Sequence, residues 1–292
     1  MRDSGWRIGF QIVNYTFLCM ISILCILPMI HVLALSLSSN AAASAGIVRL
    51  WPIGLNTTSY AYVLDQAGFI HSFLISLQRV GLGIIINLLL TVTLAYPLSK
   101  ESTKFKSRTF YAWFFVFTML FSGGLIPTYM IIKSLGLLDS LWALVLPGAV
   151  PVFSAILLLN FFRGLPKELE EAAFIDGAGH FTTLFRIFLP LSTPALATIL
   201  LLTMVGHWNS WFDGLIYMNS PQNYPLQSYL QTIVIDKTFT GLTNLNTEML
   251  RNVSDRTVKS AQIFLGALPV LLVYPFLQKF FMKGIVMGSV KE

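Results

Sequence analysis

Four histidines, His31, His71, His180 and His207, are scattered along the 292 residues with no His-Glu-x-x-His pair among them. No apolar stretch holds paired carboxylates, so neither a zinc site nor a general acid/base pair is indicated, and each histidine reads as a hydrogen-bonded structural residue. Cys19 and Cys25 share one apolar stretch. On a helix they stand more than a turn and a half apart, too far for a disulfide, and read as small buried hydrophobes. No G-x-x-x-x-G-K-[ST] sequence occurs, so the chain lacks the phosphate-loop means of binding ATP. Residues that could do recognition chemistry gather in two places instead: the polar segment 165–178, and the group Trp208, Asn209, Trp211 and Asp213.

The first segment reads Leu165-Pro166-Lys167-Glu168-Leu169-Glu170-Glu171-Ala172-Ala173-Phe174-Ile175-Asp176-Gly177-Ala178. Pro166 suits the first turn of a helix, and Glu168, Glu170 and Glu171 favour the positive end of its dipole. Gly177 can break that helix, and Asp176 is placed to cap the segment that follows. Small Ala172 and Ala173 beside Leu169, Phe174 and Ile175 make a knob that could approach another protein closely. An amphipathic helix lying on the inner leaflet is the alternative, but such helices carry Lys and Arg on their polar face. Here that face is mainly Glu, which favours a protein partner.

In the second group, aromatic faces together with an amide and a carboxylate suit a sugar. The same residues suit an aromatic belt at a membrane interface equally well. Arg79 could meet an anionic substrate, snorkel to headgroups, or pair with Asp213.

The elements that must position these groups lie in a membrane. The chain is 55% hydrophobic and 11% charged, with a mean hydropathy of +0.72. Soluble domains carry roughly 25% charge, which makes a soluble enzyme or a disordered chain a poor reading. A net charge of +6 is spread between apolar runs rather than gathered in a patch, so nucleic acid is not an expected partner. Six stretches reach the roughly 20 apolar residues that a bilayer core requires: about 12–37, 76–98, 109–132, 141–162, 187–212 and 260–278. The first exceeds the roughly 7–15 residues of a signal-peptide core and is kept as a span. Prolines and glycines interrupt most of them, among them Pro28, Gly123, Gly124, Pro127, Pro147, Pro190, Pro194, Pro269 and Pro275. Kinked helices around a pathway account for this pattern, as does the ordinary frequency of Pro and Gly in membrane helices.

With the N-terminus inside, inner segments hold Arg2, Arg7, Lys100, Lys104, Lys106, Arg108, Arg163, Lys167, Arg186, Lys279, Lys283 and Lys291. The outer loops hold Arg49, Lys133, Lys237, Arg251, Arg256 and Lys259. The positive-inside rule therefore places both termini in the cytoplasm. The basic lean of the last outer loop would suit an acidic oligosaccharide or an acidic protein face. No span contains Asp or Glu, which weighs against an ion-coupled secondary transporter, the first alternative function; an intramembrane enzyme is the second.

Glu171-Ala172-Ala173, two residues, Asp176-Gly177-Ala178, eight residues, then Ile187-Phe188-Leu189-Pro190 resembles the EAA motif of permease subunits of bacterial ABC importers. Leu50-Trp51-Pro52 with Tyr60, the run Phe121-Ser122-Gly123-Gly124-Leu125-Ile126-Pro127-Thr128-Tyr129, and His207-Trp208-Asn209-Ser210-Trp211-Phe212-Asp213 are similar to the sugar-permease branch, closest to its complex-oligosaccharide (alginate and pectin-fragment) group. Ile75 departs from that pattern, standing where many sugar permeases have Asn. The resemblance implies an all-α, six-span permease of the type I ABC importer fold, one membrane domain over 1–292 with a cytoplasmic coupling loop at about 163–186. It also implies that Glu171, Ala172, Ala173, Asp176, Gly177 and Ala178 couple to an ATPase. Implied partners are a second permease chain in a heterodimer, two ATPase subunits that bind the ATP and Mg, an extracytoplasmic solute-binding protein, a carbohydrate and membrane lipid. The implied location is the bacterial inner membrane, and the implied mechanism is alternating access.

Overall fold

The structure is a computed structural model that describes residues 5–235 and 254–289. Among the described residues every regular element is helical. Three helices are long and apolar enough to cross a bilayer alone: α1 (Gly5–Ser36), α4 (Ala67–Ser99) and the last helix, α15 (Asp255–Ser289). Pro28 lies inside the first of these and Pro97 in the last turn of the second, yet neither ends its helix.

The other three expected spans are broken. The third consists of α5 (Arg108–Leu120) and α6 (Leu125–Ser134), bent by 110°. The break falls at Ser122-Gly123-Gly124, where Gly124 has φ +90°, a conformation that costs glycine little and other residues much. The fourth comprises α7 (Leu141–Val145), a short tight turn through Pro147-Gly148, and α8 (Val152–Arg163), bent by 47°. In the fifth, the helical run begins at His180, earlier than the apolar signal suggests, and bends by 80° before α12 (Thr193–Asn209). A π-helical turn at Leu184–Phe188 precedes Pro190, which cannot donate to the ladder, and Pro194 opens the next helix. Helix α4 likewise starts nearer the N-terminus than position 76, because the polar Ser72 and Ser76 are buried within it rather than exposed.

The chain divides into two compact units, Met1–Ile70 with Leu230–Leu268, and His71–Tyr229 with Pro269–Glu292, with boundaries falling inside α4 and α15. In the first unit α1 stands clear: its surface from Trp6 to Ile26 is exposed, Cys19 and Cys25 included. The expectation of buried cysteines therefore fails, because no described residue of that unit covers this stretch of a helix that is apolar all round and suited to lipid. Beyond α1, α2 (Asn40–Ser44) packs Ala42 against Ala34 and Val48. Helix α3 (Thr58–Asp65) is tied to α15 by Ser59 Oγ, which donates to Thr257 Oγ1 over 2.8 Å.

The second unit has its core where α4, α8 and the 184–199 segment meet, with Val92, Ala95, Tyr96 and Leu98 against Leu158, Phe162, Leu184, Phe188 and Ile199. Small residues let membrane helices approach. A Cβ built on Gly83 of α4 would lie 2.4 Å from the His207 ring of α12, whereas one on Gly81 would meet nothing within 4 Å. Gly83→Ala is therefore expected to destabilise the protein by about 1–3 kcal/mol while Gly81→Ala does not. Thermal unfolding in detergent checks this, and equal stability of the two variants would contradict it.

Candidate functional site

Helix α9 (Lys167–Ile175) carries the first cluster. Pro166 is its N-cap, one position before the first turn where it was expected, with φ −58° and ψ 131°. Proline disfavours helical geometry in the residue before it and holds its own φ ready for a helix start, so it seats equally well at this position. The C-terminus closes as a Schellman motif: Ala178 N donates to Ala173 O over 2.9 Å and Gly177 N to Phe174 O over 3.1 Å. Gly177 supplies the left-handed turn at φ +81°. The expected capping of the next segment by Asp176 is not found. Asp176 is the C-cap of α9, and Gly179 is the N-cap of α10 (His180–Thr183), because the Gly177 turn places two further residues between them.

The helix has two faces. Glu171, Ala172, Asp176 and Gly177 are exposed, together with Ile175 at 85%, while Ala178 is half-buried. Ala173 is only 7% exposed and lies on the opposite face, packed into the protein itself. Glu170 shares that inward face. Its carboxylate accepts from Lys100 Nζ at 2.9 Å and from Lys104 Nζ at 3.4 Å. Burial pushes the Glu170 carboxyl up, but the hydrogen bond and charge of Lys100, joined by Lys104, outweigh burial and hold it below the usual carboxylate range. A second bridge, Lys167 to Glu101, is exposed to water, and the hydrogen bond and charge of Lys167 also hold the Glu101 carboxyl low.

The second cluster is not one surface. Trp208 is 2% exposed and packs edge-on against Phe73 with ring centroids 5.6 Å apart, so its ring meets neither a sugar nor lipid. The reading of Trp208 as pathway or belt gives way to a core role: at the end of α12 its side chain turns inward. Asn209 is exposed, and so is Trp211, whose carbonyl accepts from Ser228 Oγ over 2.7 Å.

Of the three possibilities for Arg79, pairing is the one present. Its guanidinium is buried, forms two hydrogen bonds to the Asp213 carboxylate and also reaches the carbonyl oxygens of Ser210 and Leu144. Asp213 additionally accepts from Ser210 Oγ and from its neighbour Gly214 N, each over 2.9 Å. The pair borders a cavity of about 480 Å³ lined also by Asn87, Phe153, His207 and Tyr217. Ile75 is buried, and next to it Ser76 Oγ accepts from Leu226 N over 2.7 Å, giving the start of the expected span a polar contact after all. Of the basic outer-loop residues, Lys237 and Arg251 lie outside the described residues. Arg256 donates to Ala43 O over 3.3 Å, and Lys259 bridges Asp255 over 3.1 Å.

Residues 9–287 match the family described as binding-protein-dependent transport system inner membrane component. The chain belongs to that family. Two relatives from Bacillus subtilis (strain 168) are each 40% identical to it over 284 residues, covering 97% of this chain. They are the protein LplC, covered over 95% of its length, and the polygalacturonan/rhamnogalacturonan transport system permease protein YtcP, covered over 98%. A solved structure, a bacterial ABC transporter involved in the import of the acidic polysaccharide alginate, contains a chain 33% identical to this one. It superposes with a TM-score of 0.85 over 95% of this chain and 98% of that one.

For this inner membrane component, sequence reasoning missed Lys100 and Glu170 as a pair, although their types carried a signal: a Lys just beyond an apolar run and an acid on the helix face opposite Glu171. Breaking a buried pair leaves a charge without a partner, at a cost of about 3–5 kcal/mol. Arg79→Met is expected to lose that much stability against thermal unfolding; a loss below 1 kcal/mol, on the order of a surface pair, would contradict the burial. Glu170 titrates lower in the folded chain than unfolded. Its contribution is therefore complete above the unfolded value of about 4.3 and lost as pH falls through the lower folded value. The stability difference between wild type and Glu170→Gln should shrink on acidification through that window, and a pH-independent difference would contradict the pairing.

Proposed function

We propose that this chain is the permease subunit of an ATP-driven importer that carries an oligosaccharide, an acidic one, into the cytoplasm by alternating access. In this reading α9 is the coupling helix. A separate ATPase subunit receives its exposed strip, Glu171, Ala172 and Ile175, with Asp176 and Gly177 at the turn. The observation that carries the reading is that strip: an acidic, partly apolar surface on a short helix whose other face is fastened to the protein's own core. Its acidity suits a protein cleft better than an anionic leaflet.

The remaining parts follow from the same scheme. ATP and Mg bind the ATPase partners, and this chain performs no catalysis of its own. A second permease chain, in a heterodimer, completes the pathway, because six spans hardly enclose a sugar by themselves. A solute-binding protein delivers the substrate from outside, which the family description supports. The distribution of Lys and Arg supports cytoplasmic termini and a multi-pass location in a bacterial inner membrane. The acidic substrate class is supported by relatives whose names include polygalacturonan and alginate. Asn209 and Trp211 remain the exposed candidates for the pathway, while Arg79 and Asp213 border it as a neutralised pair.

Glu171→Lys reverses charge on the exposed strip, and Gly177→Val places a branched residue at φ +81°. Each is expected to reduce uptake at least about tenfold and to uncouple ATP hydrolysis while membrane insertion is retained. Unchanged uptake in both would contradict the assignment of α9. A deletion strain offered neutral and uronic oligosaccharides tests the substrate class, and growth restored only on neutral sugars would contradict it.

A further inference from the structure

Helix α9 is joined to the membrane helices by Gly164-Leu165-Pro166 before it and Gly177-Ala178-Gly179 after it. Glycine-containing joints of this kind can absorb a displacement instead of passing it on. The buried contact opposite the exposed strip bypasses both. Lys100, the first residue after α4, is 8% exposed, and its ammonium is 2.9 Å from Glu170 Oε2, 3.9 Å from the ring centroid of Tyr96 in α4 and 4.2 Å from that of Phe188 in the π-helical turn. One cation is thereby held by three elements at once, through an ion pair and two ring faces. Tyr96 and Phe188 pack edge-on at 5.2 Å, and each meets Phe162 of α8, so the cradle is continuous with the core. Lys104 also reaches Glu170 but is half exposed, and the Lys167 to Glu101 bridge lies in water, where such pairs contribute little. Drawing α9 away would take the carboxylate from an ammonium that is otherwise buried against two rings, at a cost that a low-dielectric site raises.

We infer that Glu170 and Lys100 form a clasp that obliges α9, the inner end of α4 and the 184–188 turn to move as one body, so that force applied to α9 reaches the membrane helices rather than dissipating at Gly177. They are positioning residues, acting through α9 and the spans without touching substrate or nucleotide. The inference rests on the reading of α9 as the contact for the ATPase.

The test uses the complete importer in proteoliposomes, with substrate uptake and binding-protein-stimulated ATP hydrolysis measured on the same preparation. Glu170→Gln and Lys100→Met are each expected to lower substrate carried per ATP hydrolysed about tenfold, with the ATPase subunits still co-purifying, and the double variant to be no worse than either single one. Lys100→Arg, which keeps the cation over the rings, should restore the ratio, and Lys104→Met should leave it near wild type. Wild-type ratios in Glu170→Gln and Lys100→Met, or losses that add independently in the double variant, overturn the clasp. If these are wild type while Glu171→Lys is defective, the clasp falls and the ATPase contact stands; a wild-type Glu171→Lys overturns the contact itself. A second measurement leaves the clasp intact: with Cys19→Ser and Cys25→Ser removing the exposed native thiols, spin labels at Glu168→Cys in α9 and Leu89→Cys in α4 should keep one distance with and without ATP. A distance that changes on ATP binding overturns the inference.

Discussion

An ammonium withdrawn from water at the end of a membrane helix has to meet an anion and polarisable rings, and at Lys100 that requirement fixes the orientation of the loop helix. Glu170 answers it from α9, Tyr96 from α4 and Phe188 from the π-helical turn. With Glu170 committed inward, helical periodicity brings Ala173 to the same buried face and leaves Glu171, Ala172 and Ile175 outside. The exposed strip thus owes its orientation to a pair of charges on its far side. Gly177 then ends the helix in a left-handed turn, so the strip has a defined length as well as a defined face.

The same rule governs a second buried pair of that unit, Arg79 with Asp213. Arg79, deep in α4, is met by Asp213 and by the carbonyl oxygens of Ser210 and Leu144. This contact joins α4 to α7 and to the segment that follows α12, and it borders the cavity lined by Asn87 and His207. The few charges that are buried, Arg79, Lys100 and Glu170 among the described residues, thus sit where helices are held in register. Proline and glycine supply the complementary device, bending three of the spans at Gly124, around Pro147-Gly148 and between Pro190 and Pro194.

Membrane class, helical architecture and span number were legible in the sequence because a bilayer imposes a length and an apolarity that few other constraints imitate. The stop at Gly177 was legible for a similar reason, since few residues accept that backbone. Span starts were not: Ser72 reads as part of a polar outer loop but lies inside α4 as a buried group. Nor was the direction in which a residue faces. Trp208 and Trp211 are three positions apart and share a chemistry, yet one is core and the other exposed, a difference set by Phe73 of a distant segment. Asp176 looked like a cap for the following helix until the turn at Gly177 displaced that helix by two residues. The pairing of Lys100 with Glu170 spans 70 residues and no local pattern encodes it.

In the proposed arrangement the outward strip of α9 receives the ATPase while its inward face stays packed. Hydroxyl-radical footprinting of the permease complex, with and without the ATPase subunits, measures that surface directly. Leu169 and Ile175 should lose labelling when the ATPase is present, with Trp211 unchanged and Trp208 protected in both states. Equal labelling of Ile175 with and without the ATPase would contradict the central claim.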